Sequence, residues 1–500
     1  MVSAIRMWRH YSILLPAALV LSGCVHHPAT KLEPKQAVPQ VSPAQTETNG
    51  HAQRMFVSTM AGSPYYYGNN DGTNTDARLS YPWGVAVDRA GNVYVADFAN
   101  LIRKVTPVGS DWVVSTIAGG RGGWADGTGE QARFDCPSAI AVDQAGNLYV
   151  TEMQSWWIRK LSPTPAGWVV TTVGKQPESG ADDWRTNQQM WVRNAHGVAV
   201  DDAGNLFVAD SGENTIRKFS PNGAGWLATT IAGQTRRSGH ADGRGENALF
   251  DSPYGIALDR AGNIYVTDYE NFTVRRLRRD GADWVVDTIA GQAKYAGSSD
   301  GTNSQARFYR PSGIAIDRTG ALFVADSGNH TVRKLTPNGN DWAVSTIAGS
   351  PREHGRSDST AVWSISRVGT NWTASMLTGG SGNIASTNDI ARFFQPEGVA
   401  VDSAGRLYVA DLDNHAIRLC RSDLPWPPPL RASFTTNHMV LSWPITTSGF
   451  ALETATRLIP KADWITVTNT VVVSDQTLVL TNDLPSRTVF YRFRHDTSQR

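Results

Sequence analysis

Cysteine is scarce in this chain: three in 500 residues, at Cys24, Cys136 and Cys420. That argues against a disulfide-stapled fold and leaves no Cys-x-x-Cys pair for structural zinc or thiol redox chemistry. Charge of one sign is lacking too, since 46 lysines and arginines face 45 aspartates and glutamates. Without a basic stripe, nucleic acid is not an expected partner. There is no His-Glu-x-x-His and no phosphate-binding loop. Gly297-Ser298-Ser299-Asp300-Gly301 has the form of a nucleophile elbow but not its strand-to-helix setting. The apolar run from Ile13 to Leu21 is too short to span a bilayer. Neither a metal nor a cofactor is expected from such a composition, and no catalytic residue can be named.

What the chain has is repetition. A phrase of the form Pro-x-Gly-Ile-Ala-Val-Asp-x-x-Gly-Asn-Leu-Tyr-Val-Ala-Asp occurs six times, with its first aspartate at Asp88, Asp143, Asp201, Asp259, Asp317 and Asp402. The first five stand 55, 58, 58 and 58 residues apart. Periods of this size belong to architectures whose single units cannot bury their own apolar faces.

The unit from Pro253 to Gly291 shows how one copy is built. Gly255-Ile256-Ala257-Leu258 is small and apolar, suiting a strand buried on both faces. Asp259 to Asn263 supplies a turn with a glycine, and Ile264-Tyr265-Val266-Thr267 a β-branched and aromatic second strand. Thr273 to Leu277 and Trp284 to Ile289 follow as third and fourth strands. Four short antiparallel strands make a propeller blade.

These motifs resemble the NHL-repeat family, over Pro82–Lys104, Pro137–Lys160, Ala195–Lys218, Pro253–Arg276, Pro311–Lys334 and Pro396–Leu419. The resemblance implies a β-propeller that most often serves as a binding platform and sometimes as an enzyme. Some NHL-type propellers resemble lyases that hold zinc with three histidines at the channel. Here only His196 stands at that first-strand position, matched by Trp83, Ser138, Tyr254, Ser312 and Glu397 in the other repeats.

The last repeat stops after its third strand, and a copy of the missing fourth stands ahead of the first. Met55–Gly62 matches Trp112–Gly119 almost residue for residue. Pairing the N-terminal strand with Ile417-Arg418-Leu419 removes an open edge and closes the ring. Between Asp317 and Asp402 lie 85 residues, where two units of 58 would need 116. Ala361–Arg367 and Trp372–Leu377 read there as strands three and four alone. The expected fold is therefore all-β: six complete blades plus a half-blade over residues 54–421, with the blade number left between six and seven.

Residues 1–24 read as an export signal ending Leu21-Ser22-Gly23-Cys24, which resembles a bacterial lipobox with Cys24 as the lipidated residue. Residues 25–53 are Pro-, Gln- and Thr-rich, a tether. Residues 422–429 form a stiff proline linker, and 430–495 alternate like a small fibronectin- or immunoglobulin-like sandwich. The expected protein is a monomer anchored to a membrane, periplasmic or on the cell surface.

The Ile-Arg arginines and the aspartates at Asp97, Asp210, Asp268, Asp326 and Asp411 recur in nearly every blade, so structural ion pairs account for them better than catalysis. Blade two substitutes Glu152. The Asp-Gly loops at Asp71, Asp126 and Asp242 read as turn caps rather than calcium sites. Departures from the repeat mark the candidate ligand site instead: Trp124, Trp156, Trp157, Trp184, Trp191, His196, Tyr254, Tyr269 and Glu397. Aromatic rings on one face suit a glycan or protein ligand. The alternative is an exported lyase, lactonase or glycan-active enzyme working at the channel mouth.

Overall fold

The computed structural model describes most of residues 55–421 and the strands within 431–495. Residues 1–54, 174–190, 356–360, 379–390, 422–430 and several shorter connections lie outside the description. The signal, tether and linker assignments, Cys24 and Trp184 therefore lie outside the described residues. No helix among the described residues is long and apolar enough to cross a membrane.

Six antiparallel units of four main strands follow one another, four of them with a two-residue fifth strand at the edge, and with first strands Pro82–Val87, Pro137–Val142, Ala195–Val200, Pro253–Leu258, Pro311–Ile316 and Pro396–Val401. Each first strand contacts the next, and the sixth contacts the first, so the ring is closed. Glycine at the third position in five of the six phrases, with Ala139 in the other, lets the strands approach closely. A Cβ at Gly398 would sit 2.6 Å from the Trp83 carbonyl oxygen, and one at Gly84 would sit 2.3 Å from that of Ser138. The innermost strands thus meet backbone to backbone. Apolar clusters of alternating strand residues fill the space between neighbouring blades, as in the group of Ala86, Tyr94, Ile102, Phe134, Ile140 and Val150.

The ring closes as the sequence implies. Phe56–Gly62 pairs antiparallel with Ala416–Arg421, matching Ser58 with Leu419 and Thr59 with Arg418. Cys420, on the same closing blade, is a buried free thiol, pushed up to about 12 by its burial.

The residues read as a half-blade form a hairpin, Ala361–Val368 with Asn371–Thr378, but it does not enter the ring. Its first strand pairs with Val489–His495 near the C-terminus. The C-terminal module is two antiparallel sheets, one of which takes two of its five strands from this excursion. Residues 430–495 are thus only part of that module, and the ring has six blades.

Each blade carries one buried latch. The guanidinium of Arg275 lies between Asp268 and Asp242, both at 2.7 Å, and rests 5.0 Å from the Phe250 ring centre. Arg103, Arg159 and Arg333 repeat the arrangement, with Glu152 taking the aspartate role at 3.4 Å from Arg159. Asp71, Asp126 and Asp242 also accept bonds from the Thr116, Thr172 and Thr288 hydroxyls. These loop carboxylates are thus bound into the latches.

Candidate ligand site at the channel mouth

The second residue of each first strand is held at one end of the channel by the strand-one to strand-two pairing, as at Pro82 with Asp97. These six positions carry Trp83, Ser138, His196, Tyr254, Ser312 and Glu397. In a six-bladed ring the first and fourth blades are opposite, and their entry residues meet. The Trp83 indole Nε1 donates to the Tyr254 hydroxyl at 3.0 Å. A hydrogen bond therefore spans the mouth.

A column of rings runs along this line. Phe98 stacks on Trp83 at 5.7 Å, Trp83 on His196 at 6.0 Å, His196 on Tyr254 at 4.1 Å and Tyr254 on Tyr269 at 4.9 Å. The Arg310 guanidinium lies 5.7 Å from the Tyr269 ring and ends the column. Offset stacking at these separations adds to the area the rings bury. His196 Nδ1 is buried without a hydrogen-bond partner, and burial holds the imidazole down at about 4, so it is neutral.

Glu397 lies beside the Tyr254, Ser312 and Ser327 hydroxyls. Burial, with Asp413 as a lesser contribution, pushes its carboxyl up to about 8. Ser312 is engaged with backbone, donating toward the Pro396 and Glu397 carbonyls at 3.2 and 3.0 Å. Ser138 likewise reaches the Ala195 carbonyl at 2.8 Å.

The sequence-derived candidates separate into three groups. His196, Tyr254, Tyr269 and Glu397 come together at the mouth. Trp156, Trp157 and Trp191 form a second cluster, with Trp191 6.0 and 6.4 Å from the other two rings. Trp124 stands apart on a blade-connecting loop, 68 % exposed. Trp83 and Phe98 are absent from the sequence-derived site; their signal was present, since they occupy in blade one the two repeat positions that Tyr254 and Tyr269 occupy in blade four.

A further position organises the rim. The residue three ahead of each latch arginine adopts positive φ, at Asn100, Trp156, Asn214, Phe272, His330 and His415. Four of the six use their side chain to accept the backbone N–H that precedes the next blade. Asn100 bonds Cys136 at 2.9 Å, Asn214 bonds Ser252 at 2.8 Å, His330 bonds Gln395 at 3.2 Å and His415 bonds Tyr81 at 3.3 Å. Burial and the nearby His354 hold His330 down at about 4, which keeps its Nδ1 available as an acceptor.

The NHL repeat model matches residues 79–101, 193–219, 250–277, 308–335 and 393–418, which are five of the six blades. The ring is an NHL-type propeller. Blade two, with Glu152 and the tryptophan pair, is the unmatched one. NHL repeat-containing protein 2 of Gallus gallus is 25 % identical over 370 residues, 68 % of this chain and 46 % of its own. The chain spans about half the length of that relative. Among solved structures, a Bacteroides thetaiotaomicron protein of unknown function superposes with a TM-score of 0.52 at 21 % identity, covering 74 % of this chain and 76 % of that one. An auxiliary nutrient binding protein of the same organism gives 0.51 at 16 % identity, covering 75 % and 78 %. At these identities the likeness is one of fold.

Proposed function

We propose that this propeller is an extracytoplasmic binding protein that takes a glycan at the mouth of its channel. The observation that carries the reading is the ring column from Phe98 to Tyr269, whose polar edges include the Trp83 indole and the Tyr254 hydroxyl. Sugars carry hydroxyls that pair with such edges. The Trp156, Trp157 and Trp191 cluster supplies a second aromatic platform for a longer ligand. The fold neighbour described as an auxiliary nutrient binding protein supports a binding role. In this reading Cys24 carries lipid and holds the propeller at a membrane surface, because each buried methylene of an acyl chain contributes about 0.8 kcal/mol.

The test is titration of the protein with a panel of oligosaccharides, followed by tryptophan fluorescence. A bound member is expected to change the emission, and Trp83→Ala to abolish binding while the melting curve stays close to the parent. If Trp83→Ala binds as the parent does, the site lies elsewhere. Turnover of a bound sugar would instead mark an enzyme. Separately, Cys24→Ala is expected to move the protein from membrane to soluble fractions; unchanged partitioning would remove the anchor.

A further inference from the structure

The propeller pairs its buried carboxylates with arginines. Asp97, Glu152, Asp210, Asp268, Asp326 and Asp411 each have a guanidinium nitrogen between 2.7 and 3.7 Å away. Glu397 is placed differently. It is 6 % exposed, its Oε2 is buried with no hydrogen-bond partner, and its neighbours are hydroxyls. The charge that acts on it most is Asp413, of the same sign. Arg310, the cation at the far end of the ring column, lies over Tyr269 and Tyr309 and within 3.5 Å of Glu270. A carboxyl group in so dry a place is costly to ionise without a cation.

We propose that the channel mouth recognises an amino sugar, with Glu397 as counter-ion to its protonated amine and the Trp83–Tyr254 pair as the aromatic wall. The inference rests on the glycan-binding reading above and narrows it. The wall and the carboxyl are adjacent, because Tyr254 touches both: it accepts from Trp83 and lies beside Glu397. An ammonium group there gains a charge-assisted hydrogen bond to the carboxylate beside the Tyr254 hydroxyl.

Burial holds Glu397 protonated near pH 7 while the site is empty. An arriving ammonium favours the ionised form, so the carboxyl O–H bond breaks and its proton leaves to solvent. The ion pair forms with one proton released and no other bond changed. A neutral sugar would leave that proton in place.

Calorimetric titration of the full chain with glucosamine oligomers and with N-acetylglucosamine oligomers of equal length separates these cases, in two pH 5.5 buffers of different ionisation enthalpy, where the free amine arrives already protonated. The expected result is affinity roughly tenfold or more higher for the free amine, about 1.4 kcal/mol, with proton release. Equal affinity for the two oligomers, or no binding of the glucosamine oligomer, overturns the proposal. So does binding without proton release. This comparison uses the unaltered protein and does not depend on a variant folding. Glu397→Gln should remove the preference for the amine, and retention of it overturns the assignment of this residue. If neutral sugars bind and Trp83→Ala abolishes that binding, the glycan reading stands and only the amine assignment fails.

Discussion

Removing the strand Phe56–Gly62 should cost the ring a large part of its stability. Its side chains Val57 and Met60 are 0 % and 3 % exposed, and Met55 just ahead of it is 7 % exposed. Burial of a valine or methionine side chain contributes about 1.5–3 kcal/mol. The three together contribute roughly 5–9 kcal/mol, an upper value because unfolded chains already bury some surface. Domains of ordinary stability have about 5–15 kcal/mol in all. The strand Ala416–Arg421 would also be left with an unpaired row of backbone donors and acceptors. The measurement compares chains beginning at residues 55 and 63, so that everything preceding the strand is absent from both. The shorter chain should melt lower, on the order of 10 °C, and associate as its concentration rises. A synthetic peptide of residues 55–62 should restore part of the loss. If the two chains melt together, closure by this strand is not what stabilises the ring.

Three other outcomes are expected. Arg275→Met leaves Asp268 buried without its cation and should cost about 3–5 kcal/mol in urea denaturation, with Asp268→Asn in the same chain recovering part of it; an unchanged midpoint would count against the latch. Glu397, raised from 4.5 to about 8, holds one more proton folded than unfolded between those values, so its contribution is full below pH 4.5 and is lost as pH rises through 8. Relative to Glu397→Gln, the parent should therefore lose stability over that window by at most about 1.4 kcal/mol per pH unit, and a flat difference would sink the assignment. Residues 431–495 expressed alone should melt without cooperativity, whereas the same segment joined to residues 361–378 should melt cooperatively; circular dichroism decides, and a sharp melt of the shorter piece refutes the shared sheet.

The ring was legible because its information is local and repeated. The Asp-x-x-Gly turn, the Ile-Arg latch and the displaced copy of strand four at Met55–Gly62 are each read within a few residues. The half-blade misleads for the same reason: Ala361–Thr378 has the composition of strands three and four, but its partner Val489–His495 lies far along the chain and nothing local names it. The channel mouth was half legible. His196, Tyr254, Tyr269 and Glu397 are visible as departures from the repeat, but the bond from Trp83 to Tyr254 exists only because six blades place the first opposite the fourth. A seventh blade would have parted them, and the sequence left that number open.

The positive-φ residues at the rim also sort the seams of the ring into two kinds. An indole or a phenyl ring has no acceptor to offer, so Trp156 and Phe272 cannot make the clasp that Asn100, Asn214, His330 and His415 make. The seams after the second and fourth blades keep inner ties, from Ser138 to the Ala195 carbonyl and from Thr267 to that of Ser312. Other contacts fasten the same seams farther out: the Val192 N–H donates to the Trp156 carbonyl at 3.2 Å, and Arg310 reaches Glu270 at 3.5 Å. Tyr254 and His196 stand on the two blades between these seams, Trp83 and Glu397 on the other four, so a ligand at the mouth would touch both groups.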